Sequence, residues 1–235
     1  MLLSTSHRFI FIHVPKTAGT SITRALAPFC VNPDFSPMRA IRRSVPVRQS
    51  PESAWFQLHD TASYVRRKLG DREFARYRSF AVVRNPFDHA WSHYRFLKGY
   101  RHRHIARRVG GMDFLAYLNW RLSARHHRLK TRVGLFAKLP DQCHFLSDAR
   151  GGLIVGDVLK FENLDAELAV LAARFGLELP VLGRHRQGPE APGHAPEMHR
   201  FSAPEIAAIH RLYHRDFERF GYARTPFEPP APEGA

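Results

Sequence analysis

The chain reads as an α/β protein: a central, mostly parallel sheet flanked by helices in three layers. Three observations predict this. Short, nearly continuous apolar runs rich in β-branched and aromatic residues, at 8–14, 79–83 and 153–161, have the character of strands buried on both faces. Each run gives way to apolar residues at helical i, i+3, i+4, i+7 spacing. Strands that alternate with helices pair in parallel and place ligands at their carboxyl ends. With 235 residues and 44% hydrophobic content the chain can bury a core, so 1–224 is expected to form a single domain. A Pro-rich, mobile tail is expected over 225–235.

Taken in order, 8–14 is the first strand, 15–21 a tight loop, and Ile22, Ala25, Leu26 and Phe29 mark a helix. Residues 32–53, with Pro33, Pro37, Pro46 and Pro51 among polar and basic residues, read as a long surface loop. A short strand at 55–58 and a helix over 61–69, with Asp60 as its cap, come next. The second buried strand, 79–83, stops at Arg84-Asn85-Pro86, because proline cannot continue a ladder. Phe87, Ala90, Trp91, Tyr94 and Leu97 mark another helix, 112–122 a third, and 153–161 the third strand. Leu164, Leu168, Leu171 and Phe175 form a helical stripe closed by Gly176. After a Gly/Pro-rich loop at 180–196, the last helix opens on a capping box, Ser202 to Glu205, and runs to Gly221.

Thirty-six Lys plus Arg against 21 Asp plus Glu give a net charge of +15. Only six of the cations are Lys; Arg suits forked recognition of phosphate, sulfate or carboxylate, although genomic base composition gives the same bias. Charge alone says that the protein meets anions, without saying which. Cys30 and Cys143 are too few for a disulfide scaffold and lack zinc-site spacing, so both are expected reduced and buried. No stretch approaches the roughly 20 apolar residues of a membrane span, and no signal-peptide pattern is present. A cytoplasmic protein without a transmembrane segment is the expectation.

The loop after the first strand concentrates anion-binding chemistry. Pro15, Lys16, Thr17, Ala18, Gly19, Thr20 and Ser21 lie between strand and helix, where unpaired backbone N–H groups and the positive end of the helix dipole converge. Lys16 adds a full charge, and Thr17, Thr20 and Ser21 add hydroxyls. The loop resembles a Walker A motif, which implies a P-loop-NTPase-like fold, but its lysine precedes the glycine. The strand at 79–83 ends in Arg84, where a magnesium-dependent NTPase carries an acid. Protein cations, without a metal, would therefore neutralise the phosphate.

His13-Val14-Pro15-Lys16-Thr17-Ala18-Gly19-Thr20-Ser21 resembles the 5′-phosphosulfate loop of sulfotransferases that use 3′-phosphoadenosine 5′-phosphosulfate (PAPS). The segment from Val82 through Arg84-Asn85-Pro86-Phe87-Asp88 to Ser92 resembles their 3′-phosphate-binding segment. Order and spacing suit the carbohydrate-type, family 2 branch. Weaker similarity continues through Gln142, Phe161-Glu162-Asn163-Leu164 and 213–222. The resemblance implies that the first loop wraps the 5′-phosphosulfate, that Lys16 stabilises charge on the bridging oxygen, and that Arg84 and Ser92 hold the 3′-phosphate. It also implies a bacterial, cytoplasmic setting with a saccharide or glycolipid acceptor.

Transfer to an alcohol needs a base. His59, between the two phosphate motifs where the family's proposed catalytic histidine falls, is the candidate; His13 is the reserve among fifteen histidines. Asp60 could orient the imidazole or merely cap a helix, and Glu162 could organise cations or form a buried ion pair. The segment 95–132 holds eleven cations against one acid, Asp113. A solvated basic face, an acceptor groove for an anionic saccharide or lipid headgroup, and a nucleic-acid surface all remain open there, the last without any accompanying module. The expected activity is sulfuryl transfer from PAPS to a hydroxyl by in-line displacement, with Lys16 and His59 catalytic. The alternatives are a P-loop kinase and a non-enzymatic polyanion-binding protein. Oligomeric state has no readable signal.

Overall fold

Four strands form one sheet in the order β1-β2-β3-β4: β1 (Leu2–Ser4), β2 (Phe9–Ile12), β3 (Arg78–Val83) and β4 (Asp157–Lys160). The computed structural model describes residues 1–31, 36–123, 137–179 and 199–226. By their contacts these fall into two units, Met1–Arg84 with Gln142–Gly188 and Asn85–Asp141 with Pro189–Ala235. The predicted loop at 180–196 and the tail beyond residue 226 lie outside the described residues.

The first unit carries the sheet. β2 pairs parallel with β3 and β3 with β4, while β1 adds an antiparallel edge too short to be visible as a sequence pattern. Phe9, Phe11, Phe80, Val82 and Leu159 project from one face into a core closed by α1 (Gly19–Leu26) through Ile22 and Leu26. A later helix, Leu164–Arg174, adds Leu164, Leu168 and Leu171 to that core and ends at Gly176, whose φ of 65° lets the chain reverse. Ile10, Ile12, Ala81 and Val83, on the opposite face, are also fully buried, as two-sided burial requires.

Four expectations need correction here. The predicted loop contains α2 (Pro37–Ser44), capped by Ser36, whose side chain accepts from Arg39 N–H at 3.2 Å, with proline in its first turn. Ser-Pro is itself a helix-start signal, hidden among three other prolines. Residues 55–58 form no strand: Gln57 N–H donates to Asp60 Oδ2 at 2.7 Å and Asp60 N–H to Gln57 O at 3.1 Å. That local turn takes up groups a ladder would use. With Asp60 so engaged, the cap of α3 (Ala62–Leu69) is Thr61, whose side chain accepts from Tyr64 N–H. α4 (Asp71–Phe74) leads into β3. Of the two cysteines, both free, Cys143 is buried as expected and Cys30 only partly so.

The second unit is helical: α5 (Pro86–Lys98), α6 (Arg103–Gly110), α7 (Phe114–Leu122), and the C-terminal helices Ala203–Leu212 and His214–Phe220. Phe87, Tyr94, Val109, Tyr117, Ile209 and Phe217 are among its core residues. The capping box at Ser202 and Glu205 forms, but the expected single last helix breaks at Tyr213. The fully buried Tyr213 hydroxyl accepts from Arg121 at 2.8 Å and pairs with His89 Nδ1 at 2.9 Å.

Arg121 also departs from expectation. Read as part of a basic surface, it is only 2% exposed, and it donates to Leu139 O and, at 3.5 Å, to Tyr117 OH as well. Burial opposes its charge, but the two tyrosine oxygens outweigh burial and hold its pKa above the ordinary value. Arg125, Arg128, Lys130 and Arg132 lie outside the described residues. Removing a buried charge that satisfies several polar groups costs about 3 kcal/mol or more. Arg121→Ala should lower the urea unfolding free energy by about that amount, while the exposed Arg108→Ala should change it by less than about 0.5 kcal/mol.

Candidate functional site

β2 delivers its chain into the 13–21 loop, whose backbone is bent in a costly way. Lys16 and Ala18 have φ of 68° and 61°, a left-handed conformation that disfavours side chains by about 1–2 kcal/mol per residue. Such turns point successive amides to one side, the geometry of an anion nest. Ser21 and Ile22 N–H donate to Ala18 O at 3.0 and 3.2 Å, which starts α1 and aims its positive end at the loop. Pro15 is buried, Lys16, Ala18 and Ser21 are half-buried, and Thr20 is exposed. The fully buried Thr17 hydroxyl donates inward to Val14 O at 3.0 Å, so it braces the loop from within and is not the outward-facing donor expected from the sequence.

His13 fills the space behind this loop. It is 4% exposed, stacks on Phe11 at 5.8 Å, and meets the His59 ring edge-on at 4.6 Å. A Cβ on Gly19 would come within 1.7 Å of His13 Nε2, so only glycine fits there. Burial, reinforced by neighbouring His59, holds the His13 pKa well below its usual value. This ring is therefore neutral packing, poorly suited to the reserve role of base.

His59 is half-buried, and its Nδ1 lies 3.1 Å from the His13 carbonyl oxygen. A carbonyl only accepts, so Nδ1 carries the proton and the neutral ring keeps its basic lone pair on Nε2. The imidazole is thus oriented by a backbone carbonyl. Asp60 does not orient it: Arg43 binds both its carboxylate oxygens at 2.5 Å.

Arg84 emerges at the same edge. Ile12 pairs with Ala81 and Val83 with Lys160, so the loop at Pro15, Arg84 and the turn at Phe161 all leave the carboxyl ends of neighbouring strands about 4.8 Å apart. Fully buried Gln142 clamps the Arg84 backbone, accepting from its N–H and donating to its carbonyl, both at 2.8 Å. The Arg84 guanidinium lies 4.5 Å over the Phe161 ring. Neither Gln142 nor Phe161 could be assigned these roles from local pattern, because both arrive from far along the chain. Ser92 is half-buried on α5, in the second unit, and Glu162 is exposed, which removes the buried ion pair considered for it. An open concavity of about 670 Å³ lies at the opposite end of β3, where Arg78 pairs with Asp157 at 2.6 Å and Arg66 with Asp71 at 3.4 Å.

Fold and loop together define an α/β protein with an anion-type strand-to-helix loop at the carboxyl edge of a mostly parallel sheet. The family model described as the sulfotransferase family, family 2, matches residues 1–142, more than half of the chain, and the chain belongs to that family. No curated protein and no solved structure matches it. Membership makes it a transferase of sulfuryl groups to hydroxyl acceptors, in a family that typically draws them from PAPS. No described helix is long and apolar enough to cross a membrane.

The buried His13 has a pH signature. Its unfolded form takes up a proton below about pH 6.5 while the folded ring refuses it, so stability falls as pH drops through that value, by up to about 1.4 kcal/mol per unit. Urea unfolding of His13→Asn between neutral and mildly acidic pH should show a slope shallower than wild type by about that amount.

Proposed function

We propose that this protein moves a sulfuryl group from PAPS to a hydroxyl of a carbohydrate or glycoconjugate by in-line displacement. The observation that carries the reading is the His59 Nδ1 to His13 carbonyl contact, because it builds the base onto the residue that opens the anion loop. The acceptor oxygen bonds to sulfur as the bond from sulfur to the bridging phosphate oxygen breaks, and the acceptor proton passes to His59 Nε2. Charge gathering on the bridging oxygen is met by the Lys16 ammonium and the backbone N–H groups of residues 16–20, the Ser21 N–H being bonded to Ala18 O. Two features support the fit: the paired left-handed residues and the helix start at Gly19. Arg84, held by Gln142 and stacked on Phe161, takes the 3′-phosphate, and Ser92 is its second proposed contact.

The strand end that carries Arg84 in place of an acid supports neutralisation by protein cations, without a metal, on a P-loop-like frame. The saccharide acceptor rests on the family 2 resemblance, as does a cytoplasmic, bacterial setting. His59→Ala should lower the transfer rate to a saccharide acceptor about 10²–10⁴-fold, and Lys16→Ala about 10²–10³-fold. Full rates in either variant would remove that residue from the mechanism. Calorimetry with adenosine 3′,5′-bisphosphate should show a saturable, magnesium-independent site that is lost in Arg84→Ala and weakened in Ser92→Ala. Magnesium-dependent ATP binding in its place would indicate a kinase. Steeply salt-dependent polyanion binding, indifferent to Lys16 and Arg84, would indicate a non-enzymatic binder.

A further inference from the structure

Helix α2 sits on its unit the wrong way round. An ordinary amphipathic helix buries its apolar stripe, yet Met38 and Ile41, at i and i+3 on one face, are both 58% exposed, Val45 just past the helix end is 37% exposed, and no residue of α2 is buried. The helix is held instead by its polar side. Arg43, across the helix from that stripe, binds both oxygens of buried Asp60 and lies 4.6 Å over the Tyr64 ring. Tyr64 OH donates to Arg43 O at 2.9 Å, and buried Lys68 donates to Arg42 O and Val45 O at 2.8 and 2.5 Å. Of seven exposed large apolar residues among those described, five lie between 38 and 58: Met38, Ile41, Val45, Val47 and Leu58. Exposed apolar residues normally scatter singly, and a concentration of them marks a contact surface.

We propose that this face of α2 docks the protein reversibly on an anionic lipid bilayer. The argument for that occupant is charge. Arg42, beside the stripe, and Arg48 beyond it are exposed, and no acidic residue occurs between 36 and 51. An apolar stripe bordered by arginines fits the bilayer interface, with methyl groups at the acyl boundary and guanidiniums at the phosphates. A second copy of the chain would oppose these arginines to themselves, which disfavours self-association. Docking has a consequence for chemistry, and this consequence alone rests on the sulfuryl-transfer reading. Arg43 is bonded to Asp60, and exposed Leu58 directly precedes His59, so the docked helix is tied to the loop carrying the base. Acceptors carried on lipids then become the substrate class.

Flotation of the full chain tests docking without reference to transfer, using vesicles of phosphatidylcholine and phosphatidylglycerol in equal parts against phosphatidylcholine alone. Wild type should float with the anionic vesicles and hardly with the neutral ones. Met38→Ser with Ile41→Ser should reduce partitioning about tenfold or more, and Arg42→Ser about fivefold, each with an unchanged unfolding midpoint because these side chains face solvent. Ile41→Trp should strengthen binding. Absence of flotation would overturn the proposal. So would flotation that the apolar substitutions leave unchanged, which would assign it to basic surface elsewhere. A dimer in vesicle-free solution that Ile41→Ser dissolves would overturn it in favour of a second copy.

Discussion

A single peptide unit at the end of β2 governs the geometry of the site. Because the pairing of β2 ends at Ile12, the carbonyl of His13 is available to accept from His59 Nδ1. The ring of the same residue occupies the volume that any side chain at position 19 would need. Loop shape, tautomer of the candidate base and start of α1 are thus set together. Burial that keeps the His13 ring neutral also matters to its neighbour: a second positive imidazole 4.6 Å away would depress the basicity of His59.

The rest of the first unit holds this junction in register with Arg84. Parallel pairing brings the two loops out at one edge, and the Gln142 amide fixes the backbone where β3 ends, so Arg84 can lie over Phe161. Left-handed Lys16 and Ala18 are local costs, offset in part by the Thr17 hydroxyl on Val14 O and the first bonds of α1. Strain that persists at a loop beside a lysine and a histidine is typical of a functional site.

What was legible in the sequence was periodic or contiguous. The apolar runs at β2 and β3, the loop with its lysine and glycine, the Asn85-Pro86 helix start and the Ser202 capping box could all be read, since each depends on neighbours a few residues apart. What escaped depended on partners far along the chain. Arg121 looks like surface until Tyr117, Tyr213 and Leu139 are folded round it. Asp60 looks like a cap or an orienter until Arg43 claims it. α2 was masked because Pro37, a helix-start residue, sat among prolines that break helices, and its outward apolar stripe contradicts the pattern used to recognise helices.

The tautomer of His59 is the central physical claim, and nitrogen-15 NMR of the imidazole rings reads it directly. At a pH where His59 is neutral, its assigned resonances should show a protonated Nδ1 and a bare, basic Nε2, and the Nδ1 proton should be protected from exchange by the His13 carbonyl. A ring protonated at Nε2 in the neutral state would contradict the account, because the lone pair would then face the backbone and could not accept a proton from an acceptor hydroxyl.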